Sequence, residues 1–416
     1  MRLLPLTLAL LLLAGCADTG SGDPADLLTS DAFDSSGQDL ADDDTTDLAD
    51  DDATDDSDDT AADPDAQPAD TVAPVQPVFA APQALLPLPD QGLLLVSNTN
   101  GYWDNDLFTM VYGPGYVSVL DRDDLSLRRD IQTSAVNPQT LARTPGGVAV
   151  LCSGTTAFDE NWTASPATPG ALDLWDADLN LLASVPLPNH SVGTGSGFPT
   201  SLVVLGDRAF IGSGIAPAIW AVDTATQQLV ATRRLHNNPG NELLSLFDAG
   251  GKLGVLAFNS ETLSLLDPAT LQEIPGPCTY PFALDLRPET LTGPQGAVFR
   301  DGRIYIINAL TSTLSVFDPA TCELESQAAV LGGAPNQIFA NDTFAFVVNS
   351  LDNNLQRLAL DDLDSTVPFV TLPPGCNPWN GALDGPHLFV TGFVDQRVYR
   401  ADLDSGDLLG FVPEVP

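Results

Sequence analysis

Apolar and polar positions alternate in short runs along most of the chain, and the runs recur in a fixed order. An apolar run of four to six residues follows a Gly or Asp turn, and a second apolar run ends in Asp. A third run follows that Asp turn, and a fourth precedes the next repeat. Short apolar runs bounded by Gly, Pro and Asp predict β-strands. The first runs begin at residues 93, 148, 209, 253, 304, 344 and 388.

Seven units of four strands predict an all-β fold, a seven-bladed β-propeller over residues 77–416. The unit starts are 40 to 61 residues apart, which leaves room for loop insertions. We expect Ala84–Leu88 to be the innermost strand of blade 1 and Leu408–Val412 to end blade 7. The ring would then close mainly by packing of blade 7 against blade 1.

Several of the first runs end in a short motif. Val96-Ser97-Asn98, Ile307-Asn308 and Phe389-Val390-Thr391 resemble the strand ends of YVTN-type β-propeller repeats, named for a Tyr-Val-Thr-Asn sequence. The resemblance covers residues 90–412. It implies a secreted or surface-attached protein with a binding or structural role. Related propellers include enzymes such as lactonases and quinone-dependent dehydrogenases.

Residues 1–15 have the layout of a secretory signal peptide. Arg2 precedes an apolar segment from Leu3 to Leu13 that is shorter than the roughly 20 residues needed to span a bilayer. Leu13-Ala14-Gly15-Cys16 closely resembles the bacterial lipobox, which implies that the Cys16 thiol carries a diacylglycerol. With two or three acyl chains such an anchor is stable. Lipid is then the only expected contact with the membrane.

Residues 16–76, which begin with the lipidated cysteine, form a linker of different composition. Residues 17–76 contain 20 Asp but no Glu, Lys or Arg. Such a segment buries too little apolar surface to offset its ordering entropy, so we predict a disordered spacer. A calcium site is the alternative, although no stretch follows the EF-hand pattern.

The remaining charge is also acidic. The chain has 56 acidic and 15 basic residues, and residues 77–416 keep 36 and 14 of them, a net charge of about −22. Nucleic-acid binding requires a basic footprint. We therefore expect no nucleic-acid partner and no binding to anionic lipid headgroups.

Two unusually long loops join the second and third strands of blades 1 and 2. Long ordered loops are often functional, and aromatic side chains are favoured binding anchors. The loop after the last blade-6 strand would lie on the same face. The predicted ligand face therefore contains Tyr102, Trp103, Asp104 and Asp106, then Phe158 and Trp162, and finally Trp379. The alternative is that these aromatic residues cap the blade ends.

Two histidines, His190 and His236, fall in loops between successive blades and join the candidate ligand face. A metal site needs further ligands, and no spacing motif supplies them. The folded part has no Gly-x-Ser-x-Gly elbow, P-loop or dinucleotide fingerprint. We therefore assign no metal, no cofactor and no catalytic residue.

Four cysteines follow Cys16, and an even number in an exported chain fits two disulfides. Three pairings are open, and buried thiols are the alternative. Cys278 and Cys322 are the favoured pair because they lie in adjacent blades 4 and 5.

Together these features favour a lipid-anchored envelope or cell-surface propeller that acts as a non-catalytic binding or scaffold module. Its partner would be a protein or glycan of the envelope. A propeller enzyme and a docking subunit of an envelope complex are the alternatives. Ala17, rather than Asp, follows the lipidated cysteine, and its resemblance to the enterobacterial sorting signal implies that release to the outer membrane or cell surface is permitted. The periplasmic face of the inner membrane is the alternative.

The lipobox makes a direct prediction. Wild-type protein should incorporate an alkyne-labelled fatty acid in growing cells, whereas Cys16→Ala should incorporate none because the acylated thiol is gone. Mass spectrometry of the mature N-terminus measures the same difference. An unmodified wild-type N-terminal peptide would contradict the lipoprotein interpretation.

Overall fold

The computed structural model describes residues 78–104, 109–158, 164–188, 198–235, 242–284, 291–363 and 368–413. The predicted signal peptide (1–15) and the predicted linker (16–76) lie outside these ranges. Apart from a 3-10 turn at Pro89–Gln91, the regular elements in these ranges are strands. No helix among the described residues is long and apolar enough to cross a membrane.

Seven four-stranded antiparallel sheets make up most of the described residues. Blade 1 contains β1 (Pro82–Leu88), β2 (Leu93–Asn98), β5 (Tyr116–Asp121) and β6 (Leu127–Gln132). Blade 2 contains β7 (Pro138–Thr144), β8 (Gly147–Cys152), β11 (Gly170–Asp176) and β12 (Leu181–Leu187). Blade 3 contains β13 (Pro199–Leu205), β14 (Arg208–Ser213), β15 (Ala218–Asp223) and β16 (Gln228–Arg234).

The remaining blades follow the same order. Blade 4 contains β17 (Leu244–Asp248), β18 (Leu253–Ala257), β19 (Thr262–Leu266) and β20 (Phe282–Ala283). Blade 5 contains β21 (Pro294–Arg300), β22 (Arg303–Asn308), β23 (Thr313–Asp318) and β24 (Glu323–Val330). Blade 6 contains β25 (Pro335–Ala340), β26 (Phe344–Asn349), β27 (Asn354–Ala359) and β28 (Pro368–Thr371). Blade 7 contains β29 (Pro378–Asp384), β30 (His387–Gly392), β31 (Arg397–Asp402) and β32 (Leu408–Val412).

The predicted seven-bladed β-propeller is therefore confirmed. The first apolar run of each repeat is the second strand of a blade, and its residues are buried on both faces of the sheet. In β2, for example, Leu94, Leu95 and Val96 have no exposed surface. A sheet covered on one face would show alternating burial, so the continuous burial reflects a neighbouring blade on each side. The outermost strands, such as β12, expose alternate residues instead.

The ring closes without exchange of a strand between blade 1 and blade 7. β1 is an edge strand of the blade 1 sheet, and β29 to β32 form blade 7 by themselves, as expected from the sequence. Phe389 and Val398 of blade 7 pack in one apolar cluster with Leu85 and Leu94 of blade 1. The Leu85 backbone N–H donates to Asn380 Oδ1 at 3.2 Å, across the same seam. Closure therefore rests on packing and side-chain hydrogen bonds.

The Asp that ends the third strand of a blade shapes the turn that follows it. In blade 4 the Asp267 carboxylate accepts hydrogen bonds from the backbone N–H groups of Thr270 at 2.8 Å and Ala269 at 2.9 Å. These donors hold the pKa of Asp267 below its ordinary value. Asp residues favour such local turns because their side chains mimic a backbone acceptor. The same bonding to the second or third following N–H recurs at Asp121, Asp176, Asp223, Asp318 and Asp402.

Arginines join neighbouring blades at the face that carries these turns. Arg208 of blade 3 donates to the backbone carbonyls of Pro268 and Ala269 in blade 4, at 3.0 and 2.9 Å. Arg357 of blade 6 donates in the same way to Asp404 of blade 7 at 3.1 Å. A guanidinium offers several donors in a fixed fork, which suits two carbonyls of one turn. These basic residues therefore have a structural role between blades.

The asparagines of the YVTN-like motif are buried and bonded within their own sheets. Asn98 Nδ2 donates to Ser118 Oγ at 3.1 Å, across from β2 to β5. Asn308 Nδ2 donates to Ser315 Oγ at 2.8 Å in the corresponding position of blade 5. Buried amides need such partners to offset the loss of water. The motif residues thus stabilise the blade and are not exposed to a ligand.

One disulfide is present among the described cysteines. It joins Cys278 to Cys322 with their Cα atoms 5.4 Å apart, while Cys152 and Cys376 are free and buried. The outcome is one bridge and two buried thiols, rather than two bridges. The bridge compensates for a weak part of the ring, because the outer strand β20 of blade 4 has only two residues. It fastens the segment before β20 to blade 5.

We predict that reduction of this disulfide destabilises the propeller. Its half-cystines are 44 residues apart, and closing a loop of that size contributes about 2–4 kcal/mol to the free energy of unfolding. Guanidinium unfolding with and without a reductant measures the loss.

The Cys278→Ser/Cys322→Ser double variant is the control. It should match the reduced wild type, and reductant should not change it further. Equal stability of oxidised and reduced wild type would show that the bridge contributes nothing.

Candidate functional site

One face of the ring carries both the starts of the innermost strands and the ends of the second strands. The pairing register shows this directly, since Pro82 lies opposite Asn98 in blade 1 and Pro378 lies opposite Gly392 in blade 7. We call this the upper face. It holds the connections between second and third strands and those between successive blades, which are the loops in which sequence analysis placed the candidate ligand residues.

The two long loops of blades 1 and 2 fold into β-ribbons on the upper face. β3 (Gly101–Asp104) pairs with β4 (Thr109–Tyr112), and β9 (Thr155–Phe158) pairs with β10 (Ala164–Thr168). β4 and β9 lie in contact with each other. We call these four strands the ribbon pair.

The ribbon pair is an insertion of matched length. The connections at 99–115 and 153–169 are each 17 residues long, whereas the corresponding turns of blades 3 to 7 have four residues each. The two insertions have equal length, lie in adjacent blades and each form a β-ribbon. Because they also contact each other, they form one element of the upper face rather than two independent loops.

The predicted ligand-face residues are distributed over several places. The Tyr102 side chain in β3 is 56% exposed, and Asp104 at the end of β3 is half-buried. The Trp103 backbone lies in β3, and the Phe158 backbone lies in β9. The remaining predicted residues of these loops lie outside the described residues, namely Asp106, Trp162, His190 and His236.

Trp379 lies at the centre of the upper face, at the start of β29. Its ring packs against Phe393 with the ring centroids 5.6 Å apart. Its backbone carbonyl accepts a hydrogen bond from Asn336 Nδ2 at 2.8 Å. Trp379 lines a cavity there together with Gln83 and Asn380. The structure therefore assigns this residue to the central channel of the ring.

The cavity has a volume of about 220 Å³ and is lined by residues from all seven innermost strands. We call it the channel mouth. Among the described residues, every side chain that lines the cavity is uncharged. One lining residue from each blade, in chain order, makes the ring: Gln83, Gln139, Thr200, Ser245, Gln295, Asn336 and Trp379.

A repeated backbone irregularity points these side chains inward. Six of the seven innermost strands begin with Pro, and each of those six has a register shift directly after it. β17 of blade 4 begins with Leu244 and pairs in regular register. A β-bulge bends its strand and redirects a side chain, and bulges are frequent beside functional sites. Here they place the residue that follows each Pro at the channel mouth.

Hydrogen bonds between blades hold this ring of side chains. Gln295 Nε2 donates to Asn336 Oδ1 at 2.8 Å, from blade 5 to blade 6. Thr140 Oγ1 donates to the Thr200 carbonyl at 3.0 Å, from blade 2 to blade 3. Two side-chain atoms of lining residues, Thr200 Oγ1 and Gln295 Oε1, are buried and have no hydrogen-bond partner among the described residues. The channel mouth is thus preorganised and retains hydrogen-bonding capacity.

The channel mouth was missed in the sequence analysis, although a signal for it exists. Six of the seven inner strands open with Pro followed by a polar or aromatic residue, as in Pro82-Gln83, Pro294-Gln295 and Pro335-Asn336. Those residues fall at one position of every repeat, and equivalent positions of a closed ring must converge on its axis.

The free thiols offer little nucleophilic chemistry. Burial raises the pKa of the Cys152 thiol to about 12, and it raises that of Cys376 to about 12. A thiol reacts as the thiolate, so both remain unreactive at neutral pH. Among the described residues no group of three or more His, Cys, Asp or Glu side chains is arranged to hold a metal ion.

Comparison with known proteins shows the fold alone. No protein-family model matches the chain, and no curated protein sequence was found to be related. The computationally designed Ika8 protein is similar at a TM-score of 0.53 with 13% identity, over 81% of this chain and 88% of that one. The Neurospora crassa Pan2 WD40 domain is similar at 0.54 with 11% identity, over 77% of this chain and 88% of that one.

A third similar structure is that of dihydro-heme d1 dehydrogenase NirN in complex with DHE. Its TM-score is 0.51 with 15% identity, over 80% of this chain and 66% of that one. A WD40 domain and an enzyme thus share this architecture, and fold does not determine function. The comparisons define the class of the chain, a β-propeller, and its role has to be argued from its own surfaces.

Proposed function

We propose that the protein is an exported, lipid-anchored β-propeller of the YVTN-repeat type, and that it binds a protein or glycan of the cell envelope through the ribbon pair. The observation that carries this proposal is the matched insertion of 17 residues in each of two adjacent blades. Blades need only four-residue turns at this position to fold. The additional chain is therefore available for recognition.

The surface of the ribbon pair suits a binding role. Tyr102 exposes 56% of its surface, although it lies in a paired strand and not in a loose loop. A tyrosine contributes a large contact area with few rotatable bonds, and such residues are frequent among those that dominate binding energy. The paired strands restrict its backbone before a partner arrives, which lowers the entropic cost of association.

Two features support export and anchoring. Leu13-Ala14-Gly15-Cys16 matches the lipobox pattern, and the Cys278–Cys322 disulfide is typical of an oxidising compartment. The outer membrane or cell surface is the proposed location. The acidic linker would then separate propeller and membrane by an average of roughly 45 Å or more, the dimension of a flexible chain of about 60 residues.

Site-specific photo-crosslinking in living cells tests the proposal. A benzophenone amino acid replaces Tyr102 in the full chain, and an equally exposed residue on another strand provides the control. Leu181 serves well because it is 54% exposed and lies in the outermost strand β12 of blade 2. Both substitutions should leave the fold intact, since exposed positions tolerate change within about 0.5 kcal/mol.

The expected result is a discrete adduct of higher mass from position 102 and none from position 181. Mass spectrometry of the adduct then decides between a protein and a glycan partner. No adduct from position 102, or the same adduct from both positions, would contradict binding through the ribbon pair.

A further inference from the structure

The channel mouth is a second possible recognition site, separate from the ribbon pair and independent of the function proposed above. We infer that it binds one neutral, polyhydroxylated ring, the chemistry of a monosaccharide or cyclic polyol. Three properties of its lining residues lead to this ligand class: their lack of charge, their hydrogen-bonding groups and the aromatic rings among them.

The charge of the site excludes most ionic ligands. The lining side chains that the structure describes are uncharged, so an ion would lose its hydration without gaining a counter-charge from them. The propeller as a whole is acidic, with 36 acidic and 14 basic residues in residues 77–416, which repels anions over longer distances. A neutral ligand avoids both the loss of ionic hydration and the long-range repulsion.

The lining groups match hydroxyl groups in kind. Amide side chains such as Gln295 and Asn336 carry both donors and acceptors, and Thr200 contributes a hydroxyl that is also both. A sugar hydroxyl donates one hydrogen bond and accepts others, so it can pair with either type of group. Ligand sites commonly use a few fixed polar groups of this kind to set orientation.

Two of these groups have an atom without a partner among the described residues. Thr200 Oγ1 and Gln295 Oε1 are buried and make no hydrogen bond to any residue that the structure describes, although Gln295 is fixed through its Nε2 bond to Asn336. A buried polar atom left unpaired is costly. Both residues line the channel mouth, and rotation of either side chain would turn the unpaired atom toward a ligand hydroxyl.

Size and aromatic content favour a single ring. The volume of about 220 Å³ is below the roughly 300–1,000 Å³ of pockets that hold drug-sized ligands. Trp379 and Phe198 are the aromatic residues among those that line the mouth in the described part of the chain. An aromatic face carries partial negative charge, so the slightly positive C–H face of a sugar ring packs favourably against it.

Titration calorimetry with the full chain tests this inference, and the probes are D-glucose, D-galactose, N-acetyl-D-glucosamine and myo-inositol. D-glucuronate tests the requirement for neutrality, and cyclohexanol tests the need for several hydroxyls. Saturable binding of at least one neutral probe, with neither control ligand binding, is expected. If no neutral probe saturates, or if D-glucuronate binds as well, the inference is wrong.

Thr200→Val locates the binding. It preserves side-chain shape and removes a hydroxyl that has no partner in the described part of the chain, so the fold should be retained while affinity falls about 2- to 10-fold. Thr232→Val is the matched control, since Thr232 is exposed in the outermost strand of the same blade, and it should leave affinity unchanged.

A second variant guards against local rearrangement at position 200. Gln295→Met removes the other unpartnered atom, together with the Nε2 bond to Asn336, with little change in length, and it should also weaken binding. Thermal unfolding of each variant verifies that it is folded. Unchanged affinity in both Thr200→Val and Gln295→Met would place any observed binding elsewhere and overturn the assignment.

Discussion

The structure depends on the seam between blade 7 and blade 1. The middle strands of a blade are apolar on both faces, so each sheet is stable only between two neighbours, and the first and last sheets must find each other. They do so without exchanging a strand. Phe389 packs with Leu85 and Leu94 across the seam, and Thr391 Oγ1 donates to the Gln83 carbonyl at 3.0 Å. The first and last blades therefore meet through side chains.

The same seam shapes the channel mouth. Asn380 accepts the Leu85 N–H bond across the seam and also lines the mouth, and Gln83 lines it from the other side. The bulges that follow the inner-strand prolines bring one residue from each of six blades to a common axis only when the ring is closed. Closure and the proposed small-ligand site are therefore coupled, whereas the ribbon pair depends mainly on its own two blades.

Local patterns predicted most of the fold. The paired apolar runs and their terminal Asp residues reflect strand burial and turn bonding, which are properties of neighbouring residues, so the seven repeats and the closure were predictable. The ribbon structure of the two long loops was not predicted, because it requires pairing between segments of weak periodicity. The channel mouth was also missed, since Gln83 and Gln295 are 212 positions apart in the sequence and meet only through the closed ring.

Hydrogen–deuterium exchange of two matched variants tests ring closure most directly. Phe389→Ala and Phe346→Ala remove fully buried rings from equivalent positions of blades 7 and 6. Each substitution should lower the free energy of unfolding by about 3–5 kcal/mol. If the seam closes the ring by packing, Phe389→Ala should increase exchange in β1 and β2 of blade 1, while Phe346→Ala should leave these strands protected. Equal exchange of β1 and β2 in the two variants would contradict the account.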